Sequence, residues 1–200
     1  MTDYYKIYAD LPDADYEGCV AFLERELENA LTKAYEHEFA GADVRHFNDT
    51  ERRLYTLFFD CTQDWEGDDI YGRAARVVFV YGRSAPSAGE RNVKRMRQFL
   101  GAFRNQPEYA GYDKGHFIAH CNDGQIDQNL YPQLRELNRG LSPQGKLFRS
   151  MERYVQQNEG AFYFLRPVYS DLTWIPDKID FGIFTREKGL LLNRFDNRKR

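Results

Sequence analysis

Cysteine is scarce in this chain of 200 residues: Cys19, Cys61 and Cys121 form an odd set with no CxxC spacing. That argues against a disulfide framework and for a reducing compartment. No run of about 18 apolar residues occurs, so no membrane-spanning helix is expected. The opening Met-Thr-Asp-Tyr-Tyr-Lys lacks a basic segment followed by an apolar one. A cytoplasmic protein is therefore expected, although delivery by dedicated secretion machinery needs no such leader. Proline-rich, serine-rich and low-complexity stretches are missing as well, so nothing cuts the chain into separate units. Positive charge is not in excess either: the formal net charge is −3, which counts mildly against binding polyanions.

What is present is enough apolar material, 42% hydrophobic and 16% aromatic residues, to bury one sizeable core. Residues 4–9 read as a short strand, and residues 15–39 as an amphipathic helix with Val20, Leu23, Leu27, Leu31 and Tyr35 at helical spacing and Asp13 or Asp15 as its cap. Residues 44–47, 53–60 and 76–81 alternate as strands, with a Gly67-Asp68-Asp69 turn before the last. A helix is expected over 89–104, strands over 160–168 and 179–184, and a disordered charged end over 190–200. His37 and His46 read as surface residues. Strands and helices alternate without a βαβ rhythm, which predicts an α+β fold, an antiparallel sheet with flanking helices. Residues 1–72 are expected to be an α/β elaboration packed on the same core as residues 73–200.

The chemistry concentrates in residues 113–138, DKGHFIAHCNDGQIDQNLYPQLRELN. Residues 115–121 read as a loop running into a buried strand, which puts His116 at the junction, beside Asp113 and Gly115. Imidazole, with an unperturbed pKa of about 6.5, is the side chain suited to accept a proton near neutral pH. His120 could share its face and suggest zinc, but no cysteine or third histidine stands at ligand spacing, so His120 reads as structural. Residues 128–133 read as a loop because of Pro132. A helix interrupted by Gly140 and Ser142-Pro143-Gln144-Gly145 then runs to about Gln157 and carries Glu152. One asparagine and one glutamate suffice for a hard, oxygen-seeking ion such as magnesium, which keeps several waters. Imidazole with such an ion suits metal-assisted phosphodiester cleavage.

The order DKGH, NLYPQLRELNRG, a helix containing ERY, AFYFLRPVY and WIPDKIDFGIF resembles the DNA/RNA non-specific endonucleases with the ββα-metal (His-Me finger) fold, over roughly residues 81–184. That family is marked by an Asp-Arg-Gly-His motif, an Asn-x-x-Pro-Gln segment, a Leu-Asn-x-Gly segment and a helix glutamate. The resemblance implies that His116 is the general base, that Asn138 is the direct ligand of a magnesium or manganese ion, and that Glu152 is the helix glutamate orienting water at the metal. It implies further that Asn129 steadies the scissile region and that Asp113 positions the site. Lys114 stands where the family has arginine and cannot make its bidentate phosphate contact. Arg83 is the candidate for a second cation. Glu152 follows Asn138 by 152 − 138 = 14 positions, with the Ser-Pro-Gln-Gly insertion between them, more than the family's usual two turns, and Glu136 is the other acid nearby.

The expected substrate is DNA, RNA or both. The cations Arg73, Arg76, Arg83, Arg91, Lys94, Arg95, Arg97 and Arg104 precede the site, and either line a phosphate path or form a solvated face or a partner for the acidic N-terminal part. Three alternatives stand beside the enzyme: a catalytically inactive member of the fold that binds nucleic acid or protein, an effector or defence nuclease whose acidic N-terminal region contacts an inhibitor or immunity protein, and a plain structural α+β protein in which the motif is accidental.

Overall fold

The computed structural model describes residues 2–48, 55–62, 76–85, 107–122, 124, 129–187 and 189–199. Two helices, α1 (Tyr4–Ala9) and α2 (Tyr16–Glu38), precede strands β1 (Val44–Asn48), β2 (Tyr55–Asp60) and β3 (Arg76–Arg83). A hairpin of β4 (Tyr112–His116) and β5 (Leu130–Leu134) follows. It leads into helices α3 (Arg135–Asn138) and α4 (Pro143–Gln157) and strands β6 (Phe162–Val168), β7 (Lys178–Thr185) and β8 (Gly189–Asp196). The large sheet has the order β1-β2-β3-β6-β7-β8, and β4-β5 form a separate pair. Every strand pairing among the described residues is antiparallel, so the fold is α+β.

Helix α2 forms where its apolar spacing demands. Val20, Leu23, Leu27, Leu31 and Tyr35 are its buried positions, and Asp15 caps it by accepting the Gly18 N–H at 2.8 Å. This stripe packs on one face of the sheet with Phe58, Phe79, Phe162, Phe164 and Phe184. The other face carries Tyr163, Leu165, Ile179, Phe181 and Ile183, and against it pack Phe148, Met151 and Val155 of α4 with Phe117, Ile118 and Tyr131 of the hairpin region. Strand β6 is covered on both faces, which is why it reads as an unbroken apolar run rather than an alternating one.

Four sequence expectations give way. Residues 4–9 are a helix, not a strand: Tyr4, Ile7 and Tyr8 pack on the α2 side at i, i+3, i+4 spacing, and Asp3 accepts the Lys6 N–H. Residues 130–134 are a strand in spite of Pro132. In a two-stranded pair β5 has a free edge, where a missing N–H costs no ladder bond. Residues 117–121 leave the sheet rather than enter it, because His116 closes β4 and His120–Asn122 forms a 3-10 turn. Residues 189–196 are ordered as β8 along β7, where a disordered end was expected. The expected helix over 89–104, the 67–69 turn and the cations Arg73, Arg91, Lys94, Arg95, Arg97 and Arg104 lie outside the described residues.

Candidate active site

The hairpin is held close by glycine. A Cβ on Gly115 would lie 2.2 Å from Gln133 Oε1 and 2.5 Å from Gln133 Cβ, so any larger residue would force the strands apart. Opposite Gly115 stands Tyr131, stacked on Phe117 with ring centroids 4.0 Å apart. Strand alternation turns Asp113 and Gly115 to one side of the ribbon and Lys114 and His116 to the other. His116 is the last strand residue, and the chain just beyond it is pinned by Asn129. The Asn129 side chain accepts the Ile118 N–H at 2.8 Å and donates to the Ile118 carbonyl at 2.9 Å, while its own carbonyl accepts the Phe117 N–H at 3.0 Å. Asn129 thus acts on backbone, and through it on the imidazole's position.

Asp113 is 5% exposed and lies where β4 meets α3. Arg139 grips it with two bonds, Nε at 2.6 Å and an Nη2 at 3.0 Å, and Arg135 adds a third at 3.5 Å. Asn138 donates Nδ2 to the same carboxylate at 3.3 Å. Burial pushes the Asp113 carboxyl up, but the bonds from Arg139, Asn138 and Arg135 outweigh it and hold the group below the usual carboxylate range. An ionised carboxylate only accepts, so the amide nitrogen of Asn138 must face it, and Oδ1 is turned away and left available to a cation.

Glu152 is half-buried in the middle of α4. Burial raises its carboxyl to about 7 against the pull of Arg149 and Arg153. Its charge is felt by the phenols of Tyr131 and Tyr163, both fully buried and pushed up first by burial. Neither hydroxyl has a hydrogen-bond partner among the described residues. Asn138 Oδ1 and the Glu152 carboxylate are both hard oxygen donors, carried on two different helices. Among the described residues no three His, Cys, Asp or Glu side chains cluster as a zinc site requires.

The cations fall elsewhere. Arg83 is on the α2 face of the sheet, paired to Glu17 at 2.8 Å and lying over the Tyr16 ring, so the fold does not bring it to the hairpin. Arg76 is not on a phosphate path: it is 1% exposed, between the rings of Phe39 and Tyr169, each 4.2 Å from its guanidinium carbon. Glu136 is exposed on α3. Arg135 and Arg139 were not singled out by sequence. Their signal is an i, i+4 spacing that brackets Asn138 and presents both guanidinia on one helix face.

No protein-family model matches the chain, and no curated protein matches it. Among solved structures it is similar to Sda1 nuclease with a bound zinc ion, at 18% identity and a TM-score of 0.37, over 44% of this chain and 39% of that one. It is similar also to an extracellular endonuclease, at 13% identity and a TM-score of 0.38, over 81% of each chain. The chain thus spans well under half the length of the first of these. No helix among the described residues is long and apolar enough to cross a membrane.

Proposed function

We propose that the chain is a divalent-metal-dependent, sequence-non-specific endonuclease that hydrolyses phosphodiester bonds in DNA, RNA or both. The observation that carries this reading is the hold of Asp113 on Asn138. It turns the amide oxygen of Asn138 away from Asp113, on the short helix that directly follows the hairpin whose first strand ends in His116.

In this mechanism His116 accepts the proton of the water that attacks phosphorus, and Asn129, by pinning Ile118, keeps the imidazole at the ribbon's end. Asn138 and Glu152 would hold magnesium or manganese. When bound, the ion supplies positive charge against that developing on the phosphate and the leaving 3′ oxygen. Lys114, on the same side of β4 as His116, supplies a point charge for a non-bridging oxygen. Asp113 and Arg139 hold the amide of Asn138 in its orientation.

Purified protein incubated with plasmid and with total RNA, in magnesium, in manganese and in excess chelator, tests the proposal. Cleavage should require the cation, and His116→Ala should lower the rate about 100- to 10,000-fold, the range for a missing general base, while the melting temperature stays put. Lack of cleavage with every divalent ion, together with retained nucleic-acid binding, would replace the enzyme by an inactive binding module, and Lys114→Arg would then be the variant to assay for recovered activity.

A further inference from the structure

Asn197 follows directly on β8 and is fully buried, at 0% exposure. Its amide makes three of its four possible hydrogen bonds: Oδ1 accepts the Leu134 N–H at 2.8 Å, and Nδ2 donates to the carbonyls of Pro132 at 3.0 Å and Pro176 at 2.9 Å. One side chain thereby stands in for a peptide of a third strand along the free edge of β5, at the residue that opens α3. The preceding residue ties down the other helix. The Asp196 N–H donates to Gln144 Oε1 at 2.8 Å, and Gln144 Nε2 donates to Asp196 Oδ2 at 3.1 Å. Gln144 lies in the first turn of α4. Between the two helices Gly145 is packed so closely that a Cβ there would lie 2.3 Å from the Glu136 carbonyl oxygen.

We propose that Asp196 and Asn197 are positioning residues, which fix α3, the carrier of Asn138, against α4, the carrier of Glu152, from one rigid point at the end of the large sheet. The proposal rests on the reading of Asn138 and Glu152 as ligands of one divalent cation. The two ligands stand on separate helices joined by a short glycine-containing link. Their mutual placement therefore depends on whatever grips the starts of both helices, and adjacent residues of one strand end do so. Aspartate could not replace Asn197, because it would keep the acceptor but lose both donors and bury a charge.

Titration of the full chain with Mn2+ in a calorimeter, without substrate, reads this directly. Wild type should bind Mn2+ and Asn138→Ala should not. Asn197→Ala should weaken binding at least tenfold, as removal of groups that orient ligands does, and Gln144→Ala, at an exposed helix start, should weaken it several-fold. Leu31→Ala, a core cavity on the α2 face, serves as the stability control: it should lower the melting temperature and leave Mn2+ affinity unchanged. If Asn197→Ala does not fold, Gln144→Ala decides. Wild-type affinity in Gln144→Ala and in folded Asn197→Ala, or equal weakening by Leu31→Ala, overturns the positioning role. A wild-type chain that takes up no Mn2+ overturns the cation reading itself, and the proposal with it.

Discussion

Two carboxylates near the site titrate in opposite senses, and the difference is testable residue by residue. Glu152 has a folded pKa of about 7, above the roughly 4.3 of an unfolded glutamate. Between those values the folded state binds the extra proton, so its contribution to stability is present below about pH 4.3 and is lost as pH rises through about 7. Asp113 is shifted down; its contribution is present above about pH 3.9 and is lost as pH falls through its folded value. Chelator-treated protein melted across pH 4 to 8 should lose stability towards the upper end, and Glu152→Gln should flatten that decline. Added magnesium should restore stability at pH 8 in the wild type and not in Glu152→Gln, since a ligand that binds only the folded state stabilises it by mass action. An unchanged profile in Glu152→Gln would remove the carboxyl from the site.

Within the hairpin the controlling feature is the close approach of Gly115 to Gln133. Gly115→Ala places a methyl group 2.5 Å from Gln133 Cβ, where neither strand can yield without breaking the β4–β5 pairing, and overpacking of this kind costs about 1–3 kcal/mol. The variant should melt earlier and lose the proposed nuclease activity, whereas Gly41→Ala, whose Cβ meets nothing within 4 Å although its φ is +86°, should lose some stability and leave that activity unchanged. The legibility of the elements follows their physics. Helix α2 is plain in the sequence because five buried apolar side chains recur over 23 residues. Helix α1, six residues long, offers too few repeats for one period to outvote the other. Strand β5 is masked by Pro132, whose harmlessness depends on the strand lacking a second neighbour. Strand β8 is masked by its position at the sheet edge, where seven of its eight residues are only partly buried and no clean alternation survives. The candidate residues that the sequence singles out are local: His116, Asn129 and Asn138 all belong to one hairpin and the short helix after it. Asn197 is not among them, because nothing near it in sequence discloses that its amide completes the edge of a strand more than sixty residues earlier.

For the whole molecule, the proposed function raises a difficulty of charge: as a nuclease, a chain of net charge −3 would have to attract a polyanion through a local field. Helix α4 supplies one. Lys146, Arg149 and Arg153 are exposed on it at i, i+3, i+7 spacing, and its one acid, Glu152, is half-buried. These cations lie on the helix that also carries Glu152, so under the proposed function they are the candidate contacts for a phosphate backbone. Three further cations are paired with carboxylates, Arg83 with Glu17, Arg194 with Asp180, and Arg198 with Asp171 and Asp177. In an inactive His116→Ala background, replacing Arg149 and Arg153 together by alanine should therefore weaken nucleic-acid binding across all sequences equally. It should also reduce the slope of log K against log salt by about 1.8 for duplex DNA, roughly 0.9 for each phosphate no longer neutralised. Fluorescence anisotropy at several salt concentrations measures that slope. An unchanged slope would move the phosphate path off α4, and a weakening confined to particular sequences would mean that these arginines read bases rather than backbone.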